Sequence, residues 1–365
     1  MVKNCYIHIP FCNTICSYCD FCKEYYNRKK VKDYLLKLKE EINRVYNKEY
    51  LETIYIGGGT PTSLSIEELE ELFTITDTLN KDKNIEFTVE ANIESITKDK
   101  LVLMQKHGVN RLSIGIESID KNNLLFLNRN TTKEEIIEKI KLIRELGFNN
   151  INLDLIYALP NERLKTLKED IDFLISLDVE HISTYSLIIE DHTMLKINNT
   201  KSISEEQDEE MYNLIKEELE NNHYIHYEIS NFAKPNYYSR HNLCYWHNEE
   251  YYGFGLGAAS YINGIRKTNT RSLTNYPNKY LEEEKVDEYS SIEYEVILNL
   301  RLLEGIDLIR FKEKYNKELS DIFDYNNLLK DNLLEINNNH LRIKEKYLYV
   351  SNEIIVKLLQ TRKED

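Results

Sequence analysis

Three cysteines near the start of the chain, spaced Cys-x3-Cys-x2-Cys, restrict its fold and function more than any other feature. Cys12, Cys16 and Cys19 follow directly after an apolar run, Cys5 to Pro10, that predicts a first strand. Five of the six cysteines lie within the first 22 of 365 residues. In an intracellular chain, thiols this close together more often share a metal ion or a cluster than form disulfides.

The cysteine spacing leaves three kinds of site open. Three thiolates on an iron–sulfur cluster would leave one iron free to bind a further ligand. Cys16, Cys19 and Cys22 also repeat at the spacing of bacterial ferredoxins, although no Cys-Pro follows to complete that motif. A zinc ion held by all four residues, Cys12 included, is the third alternative.

The order of predicted elements indicates a parallel sheet. Six apolar runs alternate with segments of helical periodicity, which predicts an α/β fold with right-handed crossovers, a partial (β/α)6 barrel. In such barrels the functional side chains lie at the carboxyl ends of the strands. The predicted strands are Cys5 to Pro10, Thr53 to Ile56, Ile85 to Glu90, Arg111 to Glu117, Ile151 to Leu159 and His181 to Ile189.

Glycines and acidic residues follow several of these strands. The run 57–59 is Gly-Gly-Gly and would let the backbone approach a ligand closely, although a tight turn explains such a run equally well. Glu90, Glu117 and Asp154 each lie at a strand end, where a carboxylate can accept hydrogen bonds from a ligand. One such acid is usually only solvated, but three at one sheet edge favour contact with a ligand.

Charge and hydropathy exclude some classes of function. The formal net charge of −15 disfavours nucleic-acid binding, which needs a basic surface. The sequence contains no apolar run of about 18 residues, the length that suggests a membrane span, and no apolar stretch typical of a signal peptide. These features predict a soluble, cytoplasmic protein.

The rest of the chain divides by composition. An acidic helix, Ser204 to Asn221, is expected to close the barrel, which we place at residues 1–222. Residues 223–290 are rich in Tyr, His, Asn and Gly, and place possible iron ligands, among them His241 and Cys244, beside the only Trp. This region predicts either a heme site or a packed aromatic junction, and its chemistry alone favours the junction.

Residues 291–365 contain amphipathic helices and a predicted hairpin at Leu341 to Val350. This order of elements predicts a mostly helical, winged-helix-like C-terminal domain. The acidic balance of the chain argues against a DNA-binding role for it.

Motifs along nearly the whole chain resemble those of one family. They are, in order, HIPFC, CDF, IGGGTPT, VEAN, NRLSIGIES, LDLIYALP, TYSLIIE, YEISNFAKP, RHNLCYW, GFGLGAASY and LNLRLLEGI. Together they resemble the oxygen-independent coproporphyrinogen III oxidases and their relatives, a family of radical S-adenosylmethionine (SAM) enzymes. Within that family they are most similar to the branch of heme chaperones, because Asp20-Phe21 follows the third cysteine.

The resemblance implies a set of binding residues. Cys12, Cys16 and Cys19 match ligands of a [4Fe–4S] cluster whose fourth iron binds SAM. Glu117 aligns with a family glutamine and Ala259 with a family histidine, so the chain departs from the pattern at both positions. His241 is the first candidate heme ligand and Cys244 the second. The positions that match SAM contacts are Tyr6, Gly58, Gly59, Thr60, Glu90, Glu117, Arg129 and Asp154.

The resemblance also implies partners. We expect the chain to bind heme and deliver it to apo-hemoproteins such as respiratory enzymes, with peripheral association at membrane-bound recipients and a low-potential electron donor. The alternative is an oxidase that converts two propionates of coproporphyrinogen III to vinyl groups through radical chemistry. A radical SAM enzyme with an unrelated substrate is a third interpretation.

Overall fold

The first half of the chain alternates between strands and helices, as its sequence pattern predicts. The structure is a computed structural model that describes residues 1–363. Short 3-10 helices at Pro61–Ser63 and Ile93–Ser95 follow the second and third long strands. In chain order the elements are β1 (Asn4–Ile9), β2 (Phe11–Cys12), β3 (Glu24–Tyr25), α1 (Arg28–Val45), β4 (Leu51–Gly58), α2 (Ile66–Thr76), β5 (Lys81–Asn92), α3 (Lys98–Lys106), β6 (Arg111–Glu117), α4 (Lys121–Phe126), α5 (Lys133–Glu145), β7 (Ile151–Tyr157), α6 (Leu164–Ser176) and β8 (His181–Ser186).

Strands β1, β4, β5, β6, β7 and β8 lie side by side in that order, and every neighbouring pair is parallel. The predicted partial (β/α)6 barrel is therefore confirmed. Local sequence signals begin its helices. Ser65 and Thr132 form capping boxes with the glutamates three residues later, at the starts of α2 and α5. Helix α1 buries one apolar stripe, which includes Leu35 and Leu38, against the sheet.

The middle of the chain extends the same sheet at both edges. Strands β10 and β9 add to β8, while β11 pairs in parallel with β1 and leads on to β12, β13 and β14. The domain boundaries at 222 and 290 stay predictions. The elements here are α7 (Met194–Ile197), α8 (Glu205–Asn221), β9 (Ile225–Glu228), β10 (Asn231–Ala233), α9 (Arg240–Trp246), β11 (Tyr251–Phe254), β12 (Ala259–Ile262), β13 (Ile265–Asn269) and β14 (Tyr280–Lys285).

The C-terminal part has its own hydrophobic core, which includes Val296, Phe311, Leu341 and Leu358 and is separate from the main core of the barrel. Helices surround a small sheet in the strand order β15, β17, β16. A 3-10 helix, Glu345–Tyr347, precedes the last helix. The elements are α10 (Glu288–Asn299), β15 (Ile306–Asp307), α11 (Leu308–Tyr315), α12 (Leu319–Ile322), α13 (Asn326–Lys330), β16 (Leu334–Asn337), β17 (His340–Ile343) and α14 (Ser351–Leu359).

The predicted hairpin at Leu341 to Val350 was wrong in its position. The hairpin consists of β16 and β17, and its two-residue turn is Asn338 and Asn339, with φ of 48° and 64°. Two consecutive positive φ angles match the twist of a type I′ hairpin turn, and asparagine tolerates them. None of the helices in residues 1–363 is both long and apolar enough to cross a membrane.

Candidate functional site

A short pair of parallel strands closes the cysteine loop at its base. β2 and β3 pair through Cys12 and Tyr25, and the Tyr26 amide donates to the Cys12 carbonyl at 2.9 Å. These contacts hold both ends of residues 13–24 together just after β1. The loop thereby stands at the carboxyl-end rim of the parallel strands, where the barrel carries its functional residues.

A cavity of about 300 Å³ lies against this loop, and we call it the first cavity. Cys12, Cys16 and Cys19 all line it, whereas Cys22 lines a second, adjoining cavity. The volume is at the lower end of the range typical of small-molecule sites, roughly 300–1,000 Å³. The other sequence-predicted residues brought together in the first cavity are Gly58, Gly59, Thr60, Glu90, Glu117, Arg129 and Asp154.

The thiols of the first cavity suit a multi-iron cluster better than a single ion. Within residues 1–363, no three His, Cys, Asp or Glu side chains are close enough together to hold one metal ion. The four-cysteine zinc site is therefore not preformed. Three thiols facing one cavity suit a cluster that offers each of them a separate iron.

The protein alone does not stabilise these thiols as thiolates. Burial raises the pKa of Cys12 to about 11 and also raises the pKa of Cys16 and Cys19, while the positive charge of Arg129 opposes the shift at each. A bound metal supplies the positive charge that deprotonates such thiols. The donor set therefore fits a cationic cluster core.

A chain of polar contacts orients the Cys12 thiol. The Thr60 hydroxyl donates to Cys12 Sγ at 3.7 Å, and Asn92 Nδ2 donates to the Thr60 oxygen at 3.1 Å. Asn92 lies two residues after Glu90 and therefore on the same face of β5. Thr60, in the glycine turn, and Asn92, at the end of β5, thus help to hold the Cys12 thiol in position.

Two donors fix Glu90 at the wall between the two cavities. The Tyr55 hydroxyl donates to Glu90 Oε1 at 2.8 Å, and the Gly58 amide donates to Oε2 at 2.9 Å. Burial raises the pKa of Glu90, although both hydrogen bonds oppose the shift. Gly58 has a φ of 110°, and a Cβ there would lie 2.3 Å from the His8 ring. Only glycine permits this close turn around the carboxylate.

Glu117 and Arg129 form a buried ion pair in the first cavity. Their Oε1 and Nη2 atoms are 2.6 Å apart, and each side chain is only 8% exposed. The Tyr18 hydroxyl donates to the same oxygen at 3.0 Å. A Cβ on Gly115 would lie 2.5 Å from Arg129 Nη2, so the pair needs glycine at that position. The charge of Glu117 is therefore largely balanced within the protein.

Asp154 is the third carboxyl group of the first cavity. It lies in the middle of β7 and not, as the sequence predicted, at the end of the strand, and it accepts a hydrogen bond from Asn152 Nδ2 at 2.8 Å. Burial, followed by repulsion from Glu117 and Glu90, raises the pKa of Asp154 to about 7. A ligand that brings positive charge into the cavity would favour the ionised form of Asp154.

Sequence analysis missed several residues that line the first cavity. Tyr18 lies between two cluster cysteines, and Tyr55 precedes the glycine run. Alternation along the strands could have identified Tyr55 and Ser113, because each is a polar residue with an apolar neighbour on either side. No local signal marks Tyr185, which lines the cavity only because β8 closes the barrel.

The second cavity has a volume of about 490 Å³. It shares Phe21, Tyr55, Gly58 and Glu90 with the first cavity, so these four residues form a common wall. The structure places Tyr6, a predicted SAM contact, in the second cavity and not in the first. Other residues lining the second cavity are His8, Cys22, His241, Tyr245, Tyr251, Ala259, Arg266 and Arg271.

Both ring nitrogens of His241 are engaged in hydrogen bonds. Nδ1 is 2.7 Å from Thr53 Oγ1 and Nε2 is 2.8 Å from the Tyr245 hydroxyl, while the ring stacks on Tyr55. Burial lowers the pKa of His241 to about 3, so the ring is neutral. Cys244, one turn later in α9, is 3% exposed and does not line the second cavity. Of the two residues, the structure brings only His241 to this cavity.

The strands form a parallel partial barrel, and its first loop places three cysteines at a cavity beside the strand ends. This arrangement defines the class of radical SAM proteins. Residues 6–174 match the model of the Radical SAM superfamily, and residues 291–347 match that of the HemN C-terminal domain. The match confirms the class to which the cysteine spacing pointed.

Curated relatives identify the family within this class. The chain is 39% identical to the heme chaperone HemW of Bacillus subtilis (strain 168), covering 90% of this chain and 91% of that protein. It is 35% identical to HemW of Lactococcus lactis subsp. lactis (strain IL1403), covering 98% and 97%, and 33% identical to HemW of Escherichia coli (strain K12), covering 84% of each. The chain belongs to the HemW family.

A solved structure supports the fold independently. The coproporphyrinogen III oxidase HemN of Escherichia coli, described as a radical SAM enzyme, superposes with a TM-score of 0.85 over 97% of this chain and 89% of that one. Its sequence identity is 21%, so the likeness shows a common fold and no more.

Proposed function

We propose that this chain is a heme chaperone, which binds heme and transfers it to apo-hemoproteins. The observation that carries the proposal is its similarity, over most of both lengths, to several curated heme chaperones. The second cavity supports it, because aromatic side chains and two arginines form a wall suited to a flat, anionic ligand. It adjoins the first cavity, so heme and SAM would lie close together.

In the first cavity, Cys12, Cys16 and Cys19 would hold a [4Fe–4S] cluster, with one side left for SAM. When bound, the cluster supplies an electron for reductive chemistry on SAM. The protein's own contribution is binding and electrostatics. Gly58, Gly59 and Thr60 offer backbone groups and a hydroxyl, while the carboxylates in the cavity would attract the sulfonium and ammonium groups of SAM.

The individual contacts follow from the hydrogen bonds in the first cavity. Glu117 is held through Oε1 by Arg129 and Tyr18, so a ligand would meet its other oxygen. Asp154 and Glu90 would accept hydrogen bonds from ribose hydroxyls or the ammonium group. Tyr6 would act from the second cavity, where its hydroxyl lies 2.9 Å from His8 Nδ1.

Heme ligation by His241 would require a change in its hydrogen bonds. The ring borders the second cavity, but either nitrogen would have to leave Thr53 or Tyr245 before it could bind iron. Cys244 would need a movement of α9. We therefore propose that His241 shapes the second cavity, and that direct ligation by His241 or Cys244 takes place only if the helix rearranges.

The partners follow from the proposed transfer of heme. Recipients would be apo-hemoproteins such as respiratory enzymes, reached by peripheral association where they are membrane-bound. A low-potential electron donor would reduce the cluster. We place the protein in the cytoplasm, where thiols remain reduced.

Purified protein with a reconstituted cluster tests the function. We expect heme addition to give a saturable Soret band, and an apo-b-type cytochrome to acquire heme faster from the loaded protein than from free heme. The same protein with SAM, a reductant and coproporphyrinogen III should yield no divinyl product. Formation of that product without heme binding would favour the oxidase interpretation.

A further inference from the structure

Two arginines of the second cavity have no acidic partner. Arg266 Nη2 donates to Asn248 Oδ1 at 2.6 Å, and Arg271 Nη1 donates to the Asp20 carbonyl at 3.4 Å. Neither guanidinium pairs with a carboxylate anywhere in residues 1–363, although the chain has 62 acidic and 47 basic residues. Cations left unpaired in so acidic a protein indicate a binding role for an anion.

Arg266 is held in position before any ligand binds. Its guanidinium lies 4.2 Å from the ring centroids of both Tyr261 and Tyr294, which flank it by cation–π contacts. Its Nε atom is buried and has no hydrogen-bond partner. A planar fork fixed in this way can bind a carboxylate with little loss of side-chain entropy.

The acidic residues of the second cavity do not cancel this positive charge. Glu90 is engaged by Tyr55 and by a backbone amide, as described above. Glu249 accepts a hydrogen bond from Asn4 Nδ2 at 3.3 Å and lies 3.4 Å from Arg310. Both acids are therefore stabilised by other partners, and the two arginines provide the unbalanced charge facing the cavity.

Five tyrosine and phenylalanine side chains form part of the remaining wall. Tyr6, Tyr55, Tyr245, Tyr251 and Phe21 all line the cavity, which offers flat apolar surfaces with few charges. Its volume of about 490 Å³ falls within the range typical of organic cofactors, roughly 300–1,000 Å³. The ligand that matches is a flat, largely apolar ring system with two carboxylates on its edge.

We propose that the second cavity binds a tetrapyrrole whose two carboxylates pair with Arg266 and Arg271. The assignment rests on the proposed function, and gives that function a site anchored by the carboxylate edge of the ligand. Arg271 also contacts the Asp20 carbonyl at the end of the cysteine loop. The anchor for the ligand therefore touches the segment that holds the cluster thiols.

The test compares two probes and four proteins. Ferric heme and its dimethyl ester have the same ring, but methylation of the two carboxyl groups removes their negative charge in the diester. The proteins are wild type, Arg271→Gln, the double variant Arg266→Gln/Arg271→Gln, and a control, Arg163→Gln, in which an exposed arginine without a side-chain capping bond is changed. The cluster absorption of each protein, recorded before titration, reports folding.

Wild type and the control should bind heme at least about tenfold more tightly than the diester, a difference of about 1.4 kcal/mol. The double variant should lose most of this preference by weakening for heme alone, and Arg271→Gln should lose part of it. The proposal is overturned if the variants keep the wild-type preference, or if they lose affinity for both probes equally. Failure of wild type to bind either probe would instead remove the proposed function.

Discussion

At the scale of the residue, Asp154 shows how the first cavity opposes ionisation in the absence of a ligand. Its ordinary pKa is 3.8, and the fold raises it to about 7. Between these two values the folded state binds more protons than the unfolded state, so this carboxyl group lowers stability increasingly as the pH rises. Below about pH 4 it has no such effect.

Asp154→Asn should therefore stabilise the cluster-free protein more at pH 8 than at pH 5, by at least about 1 kcal/mol. The amide can still accept the hydrogen bond from Asn152. Urea unfolding of wild type and variant at both pH values measures the difference, with exposed Asp331→Asn as the control. An equal effect of the Asp154 substitution at the two pH values would contradict the raised pKa.

Cys22 lies in the second cavity, apart from the three thiols of the first. We expect Cys22→Ser, reconstituted without oxygen, to keep the iron content and visible spectrum of wild type. Cys16→Ser, the matched control, should lose both. Loss of the cluster in Cys22→Ser would restore the four-thiolate interpretations.

The buried pair of Glu117 and Arg129 predicts a stability effect at the site. Glu117→Gln removes the negative charge 2.6 Å from a guanidinium that is only 8% exposed, and should lower the free energy of unfolding by about 3 kcal/mol. Glu94 lies 3.9 Å from the same arginine but is 53% exposed, so Glu94→Gln should have little effect. Equal stabilities of the two variants in denaturant titrations would show that the buried pair is unimportant.

At the scale of the element, helix α9 is fixed by contacts that its motif alone does not show. Glu86 on β5 accepts hydrogen bonds from the Arg240 and His241 amides at 3.1 and 3.0 Å, and so caps the start of the helix. The His241 side chain then joins the helix to Thr53 on β4. The aromatic region is thus both a packed junction and one wall of a cavity.

His241→Ala should lower stability by about 1–3 kcal/mol, because it leaves the Tyr245 hydroxyl without its partner and the buried Thr53 hydroxyl with Asn4 alone. We expect heme binding to weaken while the heme spectrum keeps its wild-type form. Thr53→Val is the matched control, since it removes the hydrogen bonds of the Thr53 hydroxyl to His241 and Asn4 without opening the cavity. A changed axial-ligand signature in the His241 variant alone would identify the imidazole as an iron ligand.

Sequence pattern predicted the barrel strands well and the extension of the sheet poorly. Alternating βα units pair with their neighbours in order, so periodicity alone places β1 and β4 to β8, but not the two-residue strands β2 and β3. Strands such as β10 and β12 have only three or four residues, too few to show a periodicity, and β11 pairs with β1 from far along the chain. The three cysteines lie close together in the sequence, so their spacing suggested one site. Arg266 and Arg271 could not be assigned to a cavity, because the other residues that line it come from distant segments.

At the scale of the whole molecule, all three parts of the chain meet at the second cavity. The barrel supplies Tyr6 and Tyr55, the middle region His241, and helix α10 of the C-terminal part Leu298. Asn299 on the same helix donates to the Trp246 carbonyl at 3.0 Å, which joins that part to α9. The cavity therefore depends on residues spread from Tyr6 to Asn299.

The common wall of the two cavities predicts that SAM and heme influence each other's binding. In the proposed arrangement SAM would bring a sulfonium charge to one side of Tyr55 and Glu90, and the carboxylates of heme would bring negative charge to the other. Opposite charges across a shared, partly buried wall attract, so each ligand should raise the affinity of the other. Thermodynamic linkage requires the two enhancements to be the same factor, and we expect about fivefold, the lower end of typical coupling.

This factor can be measured by calorimetric titration of the cluster-loaded protein with SAM, in the presence and absence of heme. Titration with heme, in the presence and absence of SAM, then checks that the two enhancements are equal. S-adenosylhomocysteine is the matched control ligand, because it differs from SAM only by the loss of one methyl group and, with it, of the sulfonium charge. Its coupling with heme should be weaker than that of SAM.

Identical SAM affinities with and without heme would mean that the two ligands do not interact across Tyr55 and Glu90. Equal coupling for SAM and S-adenosylhomocysteine would assign the interaction to a movement of the shared wall, because it would show that the sulfonium charge contributes nothing.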